Sequence, residues 1–283
     1  MKILIAADLH LRKDKPKCRL DENWIYIQEK SLEKIVILGK AYSVDFYYFP
    51  GDIFEYSNVQ DEIKNMFLKY FLPVKDKVIM LPGNHDLPYH NYNLINKSSY
   101  GVIRNYFIED GFYYGQKIDN IKTKFSEFVG IHILVWEKSK PINAEGLSSN
   151  ELFELLPNYK YIFTGDNHHR FIVKKKGRFI INPGCITRQA ADFKNYIPSV
   201  YILNTKTDKI EKFDLPDIED VVTDNYIIAQ TERDERLSSF VQLISEKKGI
   251  SLDYRKNIIE KFKFIDKDTQ QIIEEILDES RRD

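Results

Sequence analysis

At 283 residues the chain suits one large α/β domain with a smaller appendage, long enough to bury a core without disulfide staples. A net charge of −1 excludes a global field for nucleic acid, so any such surface must be local. Two cysteines, Cys18 and Cys185, are too few for a zinc or disulfide framework, and no stretch approaches the ~18 apolar residues of a membrane span. The apolar run at residues 1–7 is too short for a signal peptide, so a cytoplasmic protein with no membrane partner is expected.

Met1 to Ala7 reads as a buried strand that runs out into Asp8-Leu9-His10-Leu11. Asp8 and His10 are two apart and share a face if the strand continues. A basic loop follows, with Arg12, Lys13, Lys15, Lys17 and Arg19; DNA phosphates and plain solvent are equally good partners for it. Trp24, Ile27, Leu32, Ile35 and Leu38 fall near one stripe, which predicts a helix from about Asp21 to Ala41. Val44 to Phe49 predicts a second strand, ending in Pro50-Gly51-Asp52-Ile53-Phe54. A second helix runs from about Val59 to Leu72 and stops at Pro73. The third strand, Val78 to Leu81, leads into Pro82-Gly83-Asn84-His85-Asp86. There Gly83 lets the backbone turn, and the turn presents an amide, an imidazole and a carboxylate. That set suits a metal-assisted hydrolase: Asn84 as oxygen ligand, His85 as proton donor, Asp86 as the group that orients His85. Strand and helix alternate as in parallel βαβ units, whose ligands sit beyond the carboxyl ends of the strands.

Residues 87–126 are less regular, with one helix expected near residues 98–109. Phe128 to Val135 is a strand carrying His132, and Glu151 to Leu156 a short helix. Tyr161 to Thr164 is a strand ending in Gly165-Asp166-Asn167-His168-His169. Two hairpins follow, around Lys174–Gly177 and Thr207-Asp208, so the later half is expected to be antiparallel. Beyond Pro216 come a polar linker, a strand at Tyr226 to Ala229 and helical periodicity over residues 233–283. The organisation is therefore a domain over residues 1–215 and an extension over residues 216–283.

Of the six histidines, His10, His85, His132, His168 and His169 fall at or beside strand ends, with Asp8, Asp52, Asn84 and Asp166. A mixed oxygen and nitrogen set with a shared carboxylate is what a two-metal hydrolytic site needs. Taken alone, His132 also reads as a satisfied core histidine and Asp166 as a turn residue.

Asp8-Leu9-His10, Gly51-Asp52, Gly83-Asn84-His85-Asp86, His132 and Gly165-Asp166-Asn167-His168 follow, in order, the motifs of the calcineurin-like metallophosphoesterases. Those motifs are Asp-x-His, Gly-Asp, Gly-Asn-His-Asp or -Glu, a strand-end His, and Gly-His-x-His. The chain resembles that family over about residues 1–205. Ala7 to Leu11, Gly51 to Phe54 and Asn182 to Arg188 are similar to the SbcD-type DNA repair exonucleases, phage-encoded members especially. The resemblance implies an α/β/β/α sandwich with a small, mainly helical C-terminal extension. It implies a DNA phosphodiesterase using a hydroxide activated by two divalent ions, Mn²⁺ first, with Mg²⁺, Fe²⁺ or Zn²⁺ as substitutes. Asp8, His10 and His168 are implied to bind one ion, Asp52 to bridge, and Asn84, His132 and Asp166 to bind the other. His85 is implied to sit over the reacting phosphate with Asp86 behind it. Where this chain has Asp166 the family usually has histidine, and a carboxylate changes the charge offered to the metal. Arg12, Arg19, His169 and Arg188 are candidate substrate contacts. The partners implied are DNA, an SbcC-type coiled-coil ATPase docked on the C-terminal segment, and a second copy of the chain, in a host cytoplasm if phage-encoded. The tail's periodicity equally suits a subdomain packed on its own core. The alternative function is hydrolysis of a small phosphodiester or a phosphoprotein.

Overall fold

Ile3 and Ile5 face one side of the first strand and Leu4 the other, and this period-2 alternation sorts the apolar residues into separate cores. The computed structural model describes residues 1–113, 123–137, 140, 145–215, 221–245, 258 and 261–279. The chain divides into two compact units, Met1–Val222 and Thr223–Asp283.

In the first unit, β1 (Lys2–Ile5), α1 (Trp24–Ala41), β2 (Phe46–Pro50), α2 (Asp61–Phe71) and β3 (Val78–Leu81) form two successive βαβ steps with parallel strands. They are followed by α3 (Ser99–Ile103), β4 (Ile108–Glu109), β5 (Phe112–Tyr113), β6 (Phe128–His132), β7 (Val135–Trp136) and β8 (Leu147–Ser148). Then come α4 (Ser149–Leu155), β9 (Tyr161–Gly165), β10 (Phe171–Lys175), β11 (Arg178–Asn182), β12 (Ser199–Asn204) and β13 (Lys209–Asp214). One sheet has six strands in the order β13-β12-β1-β2-β3-β4; a second has five, β10-β11-β9-β6-β5.

The inner core lies between the sheets. Ile3, Ile5, Tyr48, Ile79 and Leu81 of the first meet Phe128, Tyr161, Phe163, Phe179 and Ile181 of the second. On the outer face of the first sheet, Leu4, Tyr47, Phe49 and Met80 pack with Leu32 and Ile35 of α1 and Ile63 and Phe67 of α2. On the outer face of the second, Val129, Ile131, Ile162 and Ile180 pack with Leu152 and Phe153 of α4. The result is the expected α/β/β/α sandwich.

Several expectations need correction. The later half is not antiparallel throughout: β5, β6, β9 and β11 run parallel, and only β10, β12 and β13 join their neighbours antiparallel. The hairpin pattern was local, whereas β6 and β9 are joined by a crossover that contains α4, and such a connection returns the chain parallel. The helix near residues 98–109 shrinks to α3, capped by the Ser98 hydroxyl on the Gly101 N–H, because Phe107 is already extended and β4 follows. α1 begins at Trp24, after the Asn23 side chain accepts from the Tyr26 N–H.

The second unit contains α5 (Asn225–Ser245) and α6 (Lys267–Glu279). Tyr226–Ala229, expected as a strand, lies in the first turns of α5. Its β-branched pair reads as strand in a short window, but the polar run Gln230–Arg236 continues the helix. The parts of the predicted helical tail at residues 246–257, 259–260 and 280–283 lie outside the described residues. Among the described residues no helix is long and apolar enough to cross a membrane.

Candidate metal centre

β1, β2, β3, β6 and β9 each run out, at the carboxyl end, into one of the five motifs. The loops after β1 and β2 stay paired once the strands stop: the Asp8 N–H donates to the Gly51 carbonyl (3.4 Å), His10 to Asp52 (3.0 Å) and Leu11 to Ile53 (3.0 Å). Asp8 and His10 do not share a face of a continuing strand, because β1 ends at Ile5. Asp8, His10, Asp52 and Asp166 instead take left-handed backbone, with φ of 50°, 44°, 51° and 74°. Non-glycine residues enter that region at a cost of roughly 1–2 kcal/mol each. Such strain concentrates at functional sites, and here it turns four carboxylate and imidazole groups toward one point.

Two glycines make room. A Cβ on Gly51 (φ 97°) would lie 2.1 Å from His132 Nδ1. One on Gly83 would lie 2.0 Å from Asp52 Oδ1. The ligands therefore approach bare backbone, which only glycine allows at these positions.

The groups sort into two halves around Asp52. In one, Asp8, His10 and His168 offer ligand atoms within 4.8 Å of one another, and His10 Nε2 is 3.0 Å from His168 Nε2. In the other, His132 Nε2 lies 2.9 Å from Asn84 Oδ1, 3.2 Å from Asp52 Oδ2 and 3.8 Å from Asp166 Oδ1. Asp52 Oδ2 also lies 3.5 Å from His10 Nε2, so this oxygen stands between the halves. Its Oδ1 accepts from the His85 N–H at 3.0 Å.

The donor set fits cations. His132 Nδ1 donates to the Pro50 carbonyl (2.8 Å) and His10 Nδ1 lies 3.0 Å from Glu55 Oε2, which turns each Nε2 inward. Asp8 Oδ2 and Asp52 Oδ2 are fully buried and have no hydrogen-bond partner. Buried polar atoms without partners are rare, and several converging lone pairs call for a positive charge. Burial raises the Asp8 carboxyl to about 6, against the pull of His132 and His10. Burial opposes charge on His132, yet the Asp52 carboxylate lifts it to about 10. Burial also opposes charge on Asp52, but His132 and His10 hold it below the usual carboxylate range. Divalent ions would displace these protons on binding.

Asp86 does not orient His85, as the sequence suggested. Its carboxylate accepts from the backbone N–H groups of Gly83 (2.9 Å), Ile53 (3.1 Å) and Phe54 (2.9 Å), stapling the loops after β2 and β3 together. His85 Nδ1 donates instead to the Glu55 carbonyl at 2.8 Å, which leaves Nε2 available. Burial disfavours the imidazolium, but the Asp52 charge and the Glu55 carbonyl raise His85 above its ordinary value. Glu55 is the residue that sequence reasoning missed: its carboxylate holds His10 and its backbone holds His85. An acidic residue three positions beyond Asp52, on the same loop, was the available signal.

The expected arginine contacts are corrected as well. Arg19 is enclosed against Asp21 (2.6 Å), and Arg188 is 7% exposed and donates to the Lys194 carbonyl (2.8 Å). Both are spent inside the fold because basic residues in a loop were read without knowing which way the loop folds. Arg12 donates to Glu55 Oε1 (3.1 Å) and to Asp14, so it supports the carboxylate behind His10. His169, by contrast, has a 61% exposed side chain beside His168.

This is the architecture of a two-cation hydrolytic site built across the ends of two sheets. The calcineurin-like phosphoesterase family model matches residues 1–170, and the chain belongs to that family. No curated protein sequence matches it. Among solved structures it is similar to an archaeal phosphodiesterase, at 16% identity and a TM-score of 0.43, covering 76% of this chain and 100% of that one. It is also similar to a dimetal phosphatase from Danio rerio (12% identity, TM-score 0.48, 77% of this chain and 97% of that one). A phosphoesterase from E. coli aligns at 14% identity and a TM-score of 0.38, over 76% of this chain and 100% of that one.

The carboxylate at Asp166 gives a first prediction. Asp166→Ala is expected to lose one of two bound ions, while Asp166→His keeps activity and shifts the metal optimum. Metal content by mass spectrometry checks this. An alanine variant with full activity and unchanged metal would reduce Asp166 to a turn residue.

Proposed function

We propose that this protein is an SbcD-type, metal-dependent DNA phosphodiesterase that works with Mn²⁺ in the cytoplasm. The observation that carries the reading is the pair of ligand halves sharing Asp52, with an available His85 imidazole beside them. Asp8, His10, His168 and Asp52 would hold one cation, and Asp52, Asn84, His132 and Asp166 the other. Two divalent ions held there would supply a water of lowered pKa and neutralise phosphoryl oxygens. The chain's own contribution is positioning. The Pro50 carbonyl fixes the tautomer of His132, the Glu55 carboxylate stands 3.0 Å from His10 Nδ1, and the Glu55 carbonyl holds His85 so that Nε2 can give a proton to the leaving oxygen. The segment with SbcD-type character is tied beneath the fifth motif: the Cys185 N–H donates to the His168 carbonyl (3.1 Å) and Asn182 Nδ2 to the His169 carbonyl (3.2 Å).

The second reading, a small phosphodiester or phosphoprotein as substrate, draws on the net charge of −1 and the enclosed Arg19 and Arg188. Digestion of end-labelled linear DNA compared with bis-p-nitrophenyl phosphate, each with and without Mn²⁺, decides between them. Hydrolysis of the small ester alone would remove the nuclease.

The C-terminal unit is proposed to dock on a coiled-coil ATPase. A chain ending at Val222 is then expected to keep metal-dependent hydrolysis of the small diester and to lose ATPase binding in a pull-down. Failure of that chain to fold would make the segment part of the domain's core.

A further inference from the structure

The turn after His85 carries a side chain that the chemistry above does not use. Tyr89 is 93% exposed, far more than Leu20 (59%) or Tyr106 (51%). Tyr89 and His90 both have φ of 53°, a left-handed pair that non-glycine residues rarely adopt. The turn is not slack: the Leu87 N–H donates to the Asn84 carbonyl (3.2 Å), His90 to Leu87 (3.1 Å) and Asn91 to Pro88 (3.0 Å). The backbone thus holds an aromatic ring out into solvent, four residues beyond the proposed proton donor.

Tyr89 precedes His90, the first of a row of ring contacts across the site. His90 lies 6.5 Å from His85, His85 4.8 Å from His10, and His10 4.8 Å from His168. Phe193 lies 6.2 Å from His168, and His169 stacks on Phe193 at 4.6 Å and 15°. The middle of the row is the ligand set. Its far end, His169, stacks on Phe193, meets Tyr196 edge-on at 6.0 Å, has Asp192 Oδ2 3.7 Å from its Nε2, and keeps a 61% exposed side chain.

We propose that Tyr89 and His169 are stacking platforms for the nucleobases near the scissile phosphate, so that the site grips unstacked nucleotides. This rests on the DNA reading above. Every base has a π-face, so such platforms bind without sequence preference, and within a duplex those faces are covered by neighbouring pairs.

The test compares oligothymidylate with a tetrahydrofuran (abasic) oligonucleotide of the same length, using the full chain in Mn²⁺. The wild type is expected to favour the base-bearing strand in kcat/KM by about tenfold. Tyr89→Ala and His169→Ala should each erode that ratio, and Tyr89→Trp should keep it. A 2-aminopurine oligonucleotide should be quenched on binding the wild type and less so by Tyr89→Ala. An equal ratio for wild type and Tyr89→Ala, or equal quenching, overturns the platforms while leaving the nuclease. Cleavage of neither strand alongside hydrolysis of bis-p-nitrophenyl phosphate overturns the DNA reading and the platforms with it.

Discussion

Asp52→Asn is expected to abolish hydrolysis and to weaken both metal sites together. Asp52 Oδ2 lies 3.5 Å from His10 Nε2 and 3.2 Å from His132 Nε2, so one oxygen serves both halves. An amide in its place removes a charge from the centre of the site and offers one oxygen in place of two. The loss should exceed the roughly 10–100-fold that removal of an outer partner such as Glu55 costs. Calorimetric titration with Mn²⁺ and turnover of bis-p-nitrophenyl phosphate check it together. If one site keeps its affinity, Asp52 is a ligand of the other alone.

The second large effect belongs to His85. Its Nδ1–H is held by the Glu55 carbonyl, and its neighbourhood favours the imidazolium. His85→Ala should keep the fold and both ions while turnover falls by ~10²–10⁴-fold, the usual worth of general acid catalysis. The loss should shrink for a p-nitrophenolate leaving group, which needs little protonation. His85 also lies within ligand distance of His10 and Asp52, so its imidazole could instead complete a cation site. Loss of an ion in the variant would select that role, and equal damage to both substrates would remove the proton donor.

The chemistry was more legible in the sequence than the geometry that delivers it. Five motifs at the ends of apolar runs were enough to assemble Asp8, His10, Asp52, Asn84, His132, Asp166 and His168, because strand ends in an α/β sheet converge by topology. The means of convergence was not legible. A period-2 reading extends β1 through His10, whereas left-handed turns at Asp8 and His10 do the aiming. Asp and His enter that region more readily than other non-glycine residues, yet only a small fraction of them do, so the residue type alone does not mark the turn. Asp86 and Glu55 show the same limit. Both are acidic loop residues near a histidine, and only the folded loops decide that Asp86 takes three backbone N–H groups while Glu55 takes the histidines. Likewise Arg19 looked like a phosphate contact because sequence shows charge but not the Asp21 carboxylate that encloses it.

Anomalous scattering from crystals soaked in Mn²⁺ tests the central claim most directly. Two peaks about 3.5–4 Å apart are expected, the spacing of paired hydrolytic ions. One should touch Asp8, His10 and His168, the other Asn84, His132 and Asp166, with Asp52 between them. A single peak, or none beside Asp52, would contradict the account.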